Sequence, residues 1–167
     1  STAATMVAVR LAPASATPDM LLGPDGQPLP FDVAVVSGRA SGIPGVVRML
    51  ALAHQRHGKL AWSDLFGDVV RTAQDGFTVS PRLARMIASA APQARSADAV
   101  AYFRNARGER IKAGDTLRNP AYAAFVRRLA AQGPDALYRG ETARRIVARL
   151  SQGELAGSMT EADLAAQ

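Results

Sequence analysis

Apolar residues recur at helical spacing through most of this chain from about residue 44 onward. Phe66, Val69, Val70 and Ala73 follow the i, i+3, i+4, i+7 pattern that gathers side chains on one face of a helix, with Ser63 in the place of a cap and Gly76 as the stop. Tyr122, Phe125, Val126 and Leu129 predict a second such face, opened by Asn119 and Pro120 and closed by Gly133. Ala143, Ile146, Val147 and Leu150 predict a third in a helix that begins near Glu141, with Arg144, Arg145 and Arg149 on the opposite side and Glu141 in reach of Arg145 at i+4. In "SGIPGVVRMLALAHQRHG" the run from Val46 to Ala53 is apolar all round except at Arg48. That pattern predicts the most buried helix of the protein, over about Pro44 to His57, with Pro44 at the first helical position and Gly58 past the end.

Shorter signals fill the intervals. Ser80 followed by Pro81 starts a helix in "SPRLARMIASAA", and another is expected around Ser96 to Tyr102. The stretch "YFRNARGERIKAGD" reads as two short strands joined at Gly108, a small hairpin near 102–112. Thr160 with Asp163 three residues later forms a capping box with aspartate in place of Glu or Gln, opening a last helical turn. Before residue 44 the character differs: Pro13, Pro18, Pro24, Pro28 and Pro30 punctuate a segment that is mostly loop, with at most a short strand at Met6 to Val9. The expected organisation is therefore an extended or looped segment over 1–43 and a helical domain over 44–167, mainly α, in one folding unit.

Composition supports a helical globular protein. Hydrophobic residues make up 48% and charged residues 20%, while aromatics are only 5%, so the core rests on small and aliphatic side chains. With 20 basic against 14 acidic residues the net charge is +6, and Lys59 and Lys112 are the only lysines. This balance favours anionic partners without choosing among them, and arginines on solvated helix faces account for it equally well. The chain has no cysteine, which excludes disulfides, thiol nucleophiles and Cys-ligated metals within it. No apolar run approaches the ~18 residues of a membrane span, and the start "STAATMVAVR" is not a signal peptide.

Candidate chemistry is sparse. His54 and His57 lie three apart on one helix without an acidic residue in that turn, which fits a histidine pair favoured by the helix C-terminus better than a metal site. Serine and threonine residues fall at caps and turns rather than beside a base. The two helical patterns around "QGPDALYRGE" carry arginine, yet the roughly eight residues between them exceed the three or four of a DNA-reading helix pair. No nucleic acid, metal or cofactor is therefore expected.

Six segments in order carry a resemblance. They are "APASATPDM" at Ala12 to Met20, "SGRASGIPGVVRMLALAHQRHGKLAW" at Ser37 to Trp62, "AQDGFTVSPRLA" at Ala73 to Ala84, "AGDTLRNPAYA" at Ala113 to Ala123, "GPDALYRGETARRIV" at Gly133 to Val147 and "MTEADLAA" at Met159 to Ala166. Together they resemble the large subunit of the gamma-glutamyltranspeptidase family. The resemblance implies the helical layer of an N-terminal nucleophile hydrolase, an αββα sandwich made as one precursor that cuts itself into a large and a small subunit. In that family the new N-terminal threonine of the small subunit attacks the gamma-glutamyl amide of glutathione or a related donor, and water or an amine takes the acyl group. The implied partners are a gamma-glutamyl donor and the small subunit, and the implied location is periplasmic or secreted. No catalytic residue is expected within the chain, which reads as an excised part, inactive alone, of a protein that continues past Gln167.

One substrate-binding residue is implied. The family has an arginine in an Arg-Glu-Thr-Ala-Pro type segment that clamps the substrate's alpha-carboxylate, and here the matching text is "VAVRLAP". Anchored on Ala12 and Pro13 without a gap, Val9 takes the arginine's place and Arg10 the glutamate's; with a one-residue deletion Arg10 becomes the clamp. The alternative from another class is a non-catalytic helical binding module that holds an anionic partner through its positive charge.

Overall fold

Asn119 and Ser80 open two of the helices as their sequences predict: the Asn119 side chain accepts from the Tyr122 amide at 2.8 Å, and the Ser80 hydroxyl from the Leu83 amide at 3.2 Å. These details come from a computed structural model that describes residues 12–89, 91–105 and 107–167. Among them the helices are α1 (Phe31–Ala34), α2 (Val46–His57), α3 (Gly67–Asp75), α4 (Pro81–Ala88), α5 (Ala97–Tyr102), α6 (Pro120–Gln132), α7 (Asp135–Tyr138), α8 (Gly140–Leu150) and α9 (Glu161–Ala165). Strands β1 (Phe77–Thr78) and β2 (Thr116–Leu117) pair antiparallel, Phe77 opposite Leu117 and Thr78 opposite Thr116. The expected hairpin is present as a single antiparallel bridge between Arg104 and Arg110, with Gly108 at φ +76°. The predicted strand at Met6 to Val9 lies outside the described residues.

Two apolar clusters hold these elements together. In the first, Ile43, Tyr138, Ala143, Met159 and Leu164 are buried, and Val47, Ile146, Val147 and Leu150 pack against them, so α7, α8 and α9 close on the chain leading into α2. The α8 stripe predicted from the sequence is the face that enters this cluster. In the second, Val79, Ile87, Ile111 and Leu117 bring the β-pair, α4 and the hairpin loop together. Between them α3 packs on α6, where Ala73, Val126 and Leu129 are buried.

Several expectations are corrected. The helix predicted to be the most buried is not: α2 contains no buried residue, and Val46 and Leu50 are 57% and 52% exposed. An all-round apolar pattern records what a helix can bury; among the described residues Val47 packs against the first cluster and His54 meets Trp62, while Val46 and Leu50 face solvent. Pro44 precedes α2 by two positions, with Gly45 at its cap. Ser63 does not cap α3; it lies inside a 3-10 turn, Trp62–Phe66, and its hydroxyl donates to Asp64 Oδ1 at 3.3 Å. Tyr122 leaves the α6 stripe for solvent at 48% exposure, because the packed face runs through Ala123 and Val126 instead. The link between α6 and α8 is itself helical, since α7 occupies it, which removes the short turn that a DNA-reading pair requires.

Candidate functional site

The substrate-clamp candidate Arg10 lies outside the described residues. The chain that follows it is anchored at the far end of the sequence. Pro13 is buried, the Ala14 amide donates to Asp163 Oδ1 at 2.9 Å, and the Ser15 hydroxyl donates to the Ser158 carbonyl at 3.3 Å. Asp163 also completes the predicted capping box. Its Oδ2 accepts from the Thr160 amide at 2.9 Å and the Thr160 hydroxyl at 2.8 Å, and its own amide donates to Thr160 Oγ1 at 3.1 Å. At 8% exposure a carboxylate needs donors of this number and quality. The cap is legible at three-residue spacing, whereas the bond to Ala14 spans 149 positions and leaves no local signal.

The second arrangement joins two of the resembling segments. Tyr138 at the end of α7 is fully buried, and its hydroxyl donates to the Pro44 carbonyl at 2.5 Å and accepts from the Arg48 amide at 3.1 Å. Arg48 returns over the Tyr138 ring, 4.8 Å from its centroid, and pairs with Asp135 at 2.9 Å. Burial raises the Tyr138 hydroxyl above its ordinary pKa, against the lowering effect of the Arg48 amide and charge. "GPDALYRGE" is thereby seated on "IPGVVR", and the first turn of α2 receives an acceptor for one of its orphan amides.

The arginines of α8 stay in solvent: Arg145 lies 3.7 Å from Glu141 and Arg149 3.4 Å from Asp98, all four side chains more than half exposed. Asp98 is held below its ordinary carboxylate range, first by a hydrogen bond from the Ser96 side chain, then by the Ala99 amide. His54 Nε2 sits 2.9 Å from the Leu60 carbonyl, and its ring meets the edge of Trp62 at 5.4 Å. Among the described residues no three His, Cys, Asp or Glu side chains are grouped so as to hold a metal ion, and no helix is long and apolar enough to cross a membrane. Thr72 and Thr142 stand within helices rather than at caps or turns.

The chain is similar to known proteins along nearly its whole length. The family model described as Gamma-glutamyltranspeptidase matches residues 2–166. This chain belongs to that family. It is 34% identical over 154 residues to the glutathione hydrolase proenzyme of Bacillus subtilis (strain 168), a match covering 92% of the chain and 26% of that protein. It is also 34% identical over 160 residues to the glutathione hydrolase proenzyme of Pseudomonas aeruginosa, covering 93% of the chain and 27% of that protein. Among solved structures, the gamma-glutamyltranspeptidase of Pseudomonas nitroreducens complexed with L-DON superposes with a TM-score of 0.79 at 34% identity, over 95% of this chain and 45% of that one. The Helicobacter pylori gamma-glutamyltranspeptidase shares the fold at a TM-score of 0.83 and 24% identity, over 93% of this chain and 44% of that one. The chain thus spans about a quarter of the length of the curated relatives it matches. Its described part is mainly helical with one two-stranded pair, and it shares this fold with gamma-glutamyltranspeptidases of solved structure.

Proposed function

We propose that these residues form the helical layer of a gamma-glutamyltransferase or glutathione hydrolase that matures from a self-cleaving precursor. The observation that carries the reading is the family match over residues 2–166, with "GPDALYRGE" locked to "IPGVVR" through Tyr138, Pro44 and Arg48. The word proenzyme in the names of the relatives supports maturation by cleavage. In this reading another part of the precursor supplies the threonine. Its hydroxyl oxygen attacks the gamma-glutamyl carbonyl with its own amine as base, the amine of the donor leaves with the proton, and water or an acceptor amine then releases the glutamyl group from the ester. Glutathione is the donor class, the small subunit is the partner, and the compartment is periplasmic or extracellular.

Within this chain Arg10 is the residue assigned to substrate. A guanidinium fork matches the planar alpha-carboxylate of the donor, and the anchored segment behind it, Pro13 to Ser15, joins the helical unit 44–167 through Asp163 and Ser158.

The test is expression of the complete gene, followed on a denaturing gel beside turnover of a gamma-glutamyl anilide. Two bands with turnover are expected, with none from the 167-residue chain alone. Arg10→Ala is expected to raise KM by about tenfold or more, the worth of one charge-assisted contact. An Arg10→Ala enzyme with unchanged KM removes the clamp assignment and leaves the family reading intact. A single uncut band without turnover removes the enzyme reading and directs attention to binding of an anionic partner.

A further inference from the structure

Exposed apolar side chains from four separate elements meet at one cleft. Val69 of α3, Phe77 of β1, Tyr102 of α5 and Tyr122 of α6 are 41%, 43%, 39% and 48% exposed, and they surround a hollow of about 350 Å³ floored by the buried Ala73 and Leu117. Exposed hydrophobes scattered singly are ordinary, but this convergence on a concave surface is the form of a binding site. The rings are braced: Tyr102 lies against Phe103 at 4.8 Å between centroids, and Tyr122 is near Phe125 at 6.2 Å. Gly76 makes the cleft possible. Its φ is +93°, and a Cβ there would lie 2.6 Å from Thr116 Cγ2 and 2.9 Å from the Leu117 carbonyl oxygen, blocking the approach of β1 to β2 that aims Phe77 into place.

Charge selects the occupant. The chain carries 20 lysines and arginines, and arginine enters other clefts: Arg104 and Arg110 in one, Arg128 and Arg145 in another, Arg48 in a third. Among the described residues none lines the aromatic cleft, where the ionised group is Asp68. Arg71 pairs with Asp68 Oδ1, but both side chains are largely exposed and such a pair holds its partners weakly. An anionic ligand would meet only Arg71 at the rim, already engaged with Asp68. A cation gains both the carboxylate and the negative faces of the rings, provided it also brings an apolar body to fill the hollow.

We propose that this cleft binds a small organic cation with an aryl or branched alkyl body, an arylalkylamine being the class that fits its size, rings and carboxylate. This proposal stands or falls separately from the gamma-glutamyl chemistry proposed above.

The experiment is calorimetric titration of the complete gene product with 2-phenylethylammonium and, in parallel, with its neutral isostere 2-phenylethanol. Saturable binding at low millimolar concentration is expected, about fivefold tighter for the ammonium. Asp68→Asn is expected to bring the two probes to similar affinity. Tyr122→Ala should weaken both, while Tyr122→Phe, which keeps the ring, should leave both in place. Because binding rather than turnover is read, failed maturation does not imitate failure of the site. Equal affinity for the two probes, a preference unmoved by Asp68→Asn, affinity unmoved by Tyr122→Ala, or no saturation overturns the proposal.

Discussion

Tyr138 joins two distant stretches of the chain through one side chain. With no solvent exposure, its hydroxyl serves at once as donor to the Pro44 carbonyl and acceptor for the Arg48 amide, so Tyr138→Phe leaves two half-buried backbone groups without their partner. A loss of about 2–3 kcal/mol is expected, read as a lower denaturant midpoint. The same residue sets an alkaline limit. Its folded pKa is raised above the ordinary value near 10, so the contribution is fully present below pH ~10 and is lost as pH rises toward the folded pKa, because only the unfolded chain then releases the proton. Melting temperatures measured from pH 8 to 11 should fall at the alkaline end, and Tyr138→Phe should flatten that part of the curve. Asp163 is the acidic counterpart in importance. Asp163→Ala removes the capping box together with the bond to the Ala14 amide, and Thr160→Ala weakens the cap while leaving that bond. Both are expected to destabilise by about 1–2 kcal/mol, but only Asp163→Ala should open the chain near Ala14 to limited proteolysis.

Helices with one-sided patterns were the easiest elements to read. Ser80, Asn119 and Thr160 cap as expected because a cap is a contact between a side chain and an amide two or three residues on, wholly within the local sequence. Elements whose existence depends on distant partners escaped: the β1–β2 pair is two residues per strand and joins segments separated by α4, α5 and the hairpin loop. Close backbone approach is another such feature. Gly38 lies against the end of α8 and Gly157, where the Gly157 amide donates to the Leu150 carbonyl at 2.7 Å, and a Cβ on Gly38 would overlap both that carbonyl and the Gly157 amide. Gly38→Ala is expected to destabilise by about 3 kcal/mol or more, by forcing backbone apart rather than by changing any side-chain contact. Its effect would appear as a fall in melting temperature, with Gly108→Ala, which meets open space but carries positive φ, a milder comparison.

At the scale of the whole molecule, the open face of α2 is the feature that matters most. Val46, Met49, Leu50 and Ala53 repeat at i, i+3, i+4, i+7, and among the described residues Val46 and Leu50 are exposed and Met49 and Ala53 half-buried. In sedimentation velocity the 167-residue chain is expected to self-associate with rising concentration, and Leu50→Glu should shift it toward monomer. A monomer for both would mean that this face tolerates water. The sequence by itself determined the helical class, most helix ends, the hairpin at Gly108 and the family, because each depends on neighbours within a few residues or on the order of short segments along the chain. Arg10 stays a proposal that rests on resemblance alone. Only the tertiary structure decided that α2 keeps Val46 and Leu50 exposed among the described residues, that Tyr138 seats one segment on another, that Asp163 holds the chain at Ala14, and that four elements share an aromatic cleft. Each of those joins residues far apart in the chain, and hydrophobic pattern specifies which face seeks a partner without specifying whether one is present.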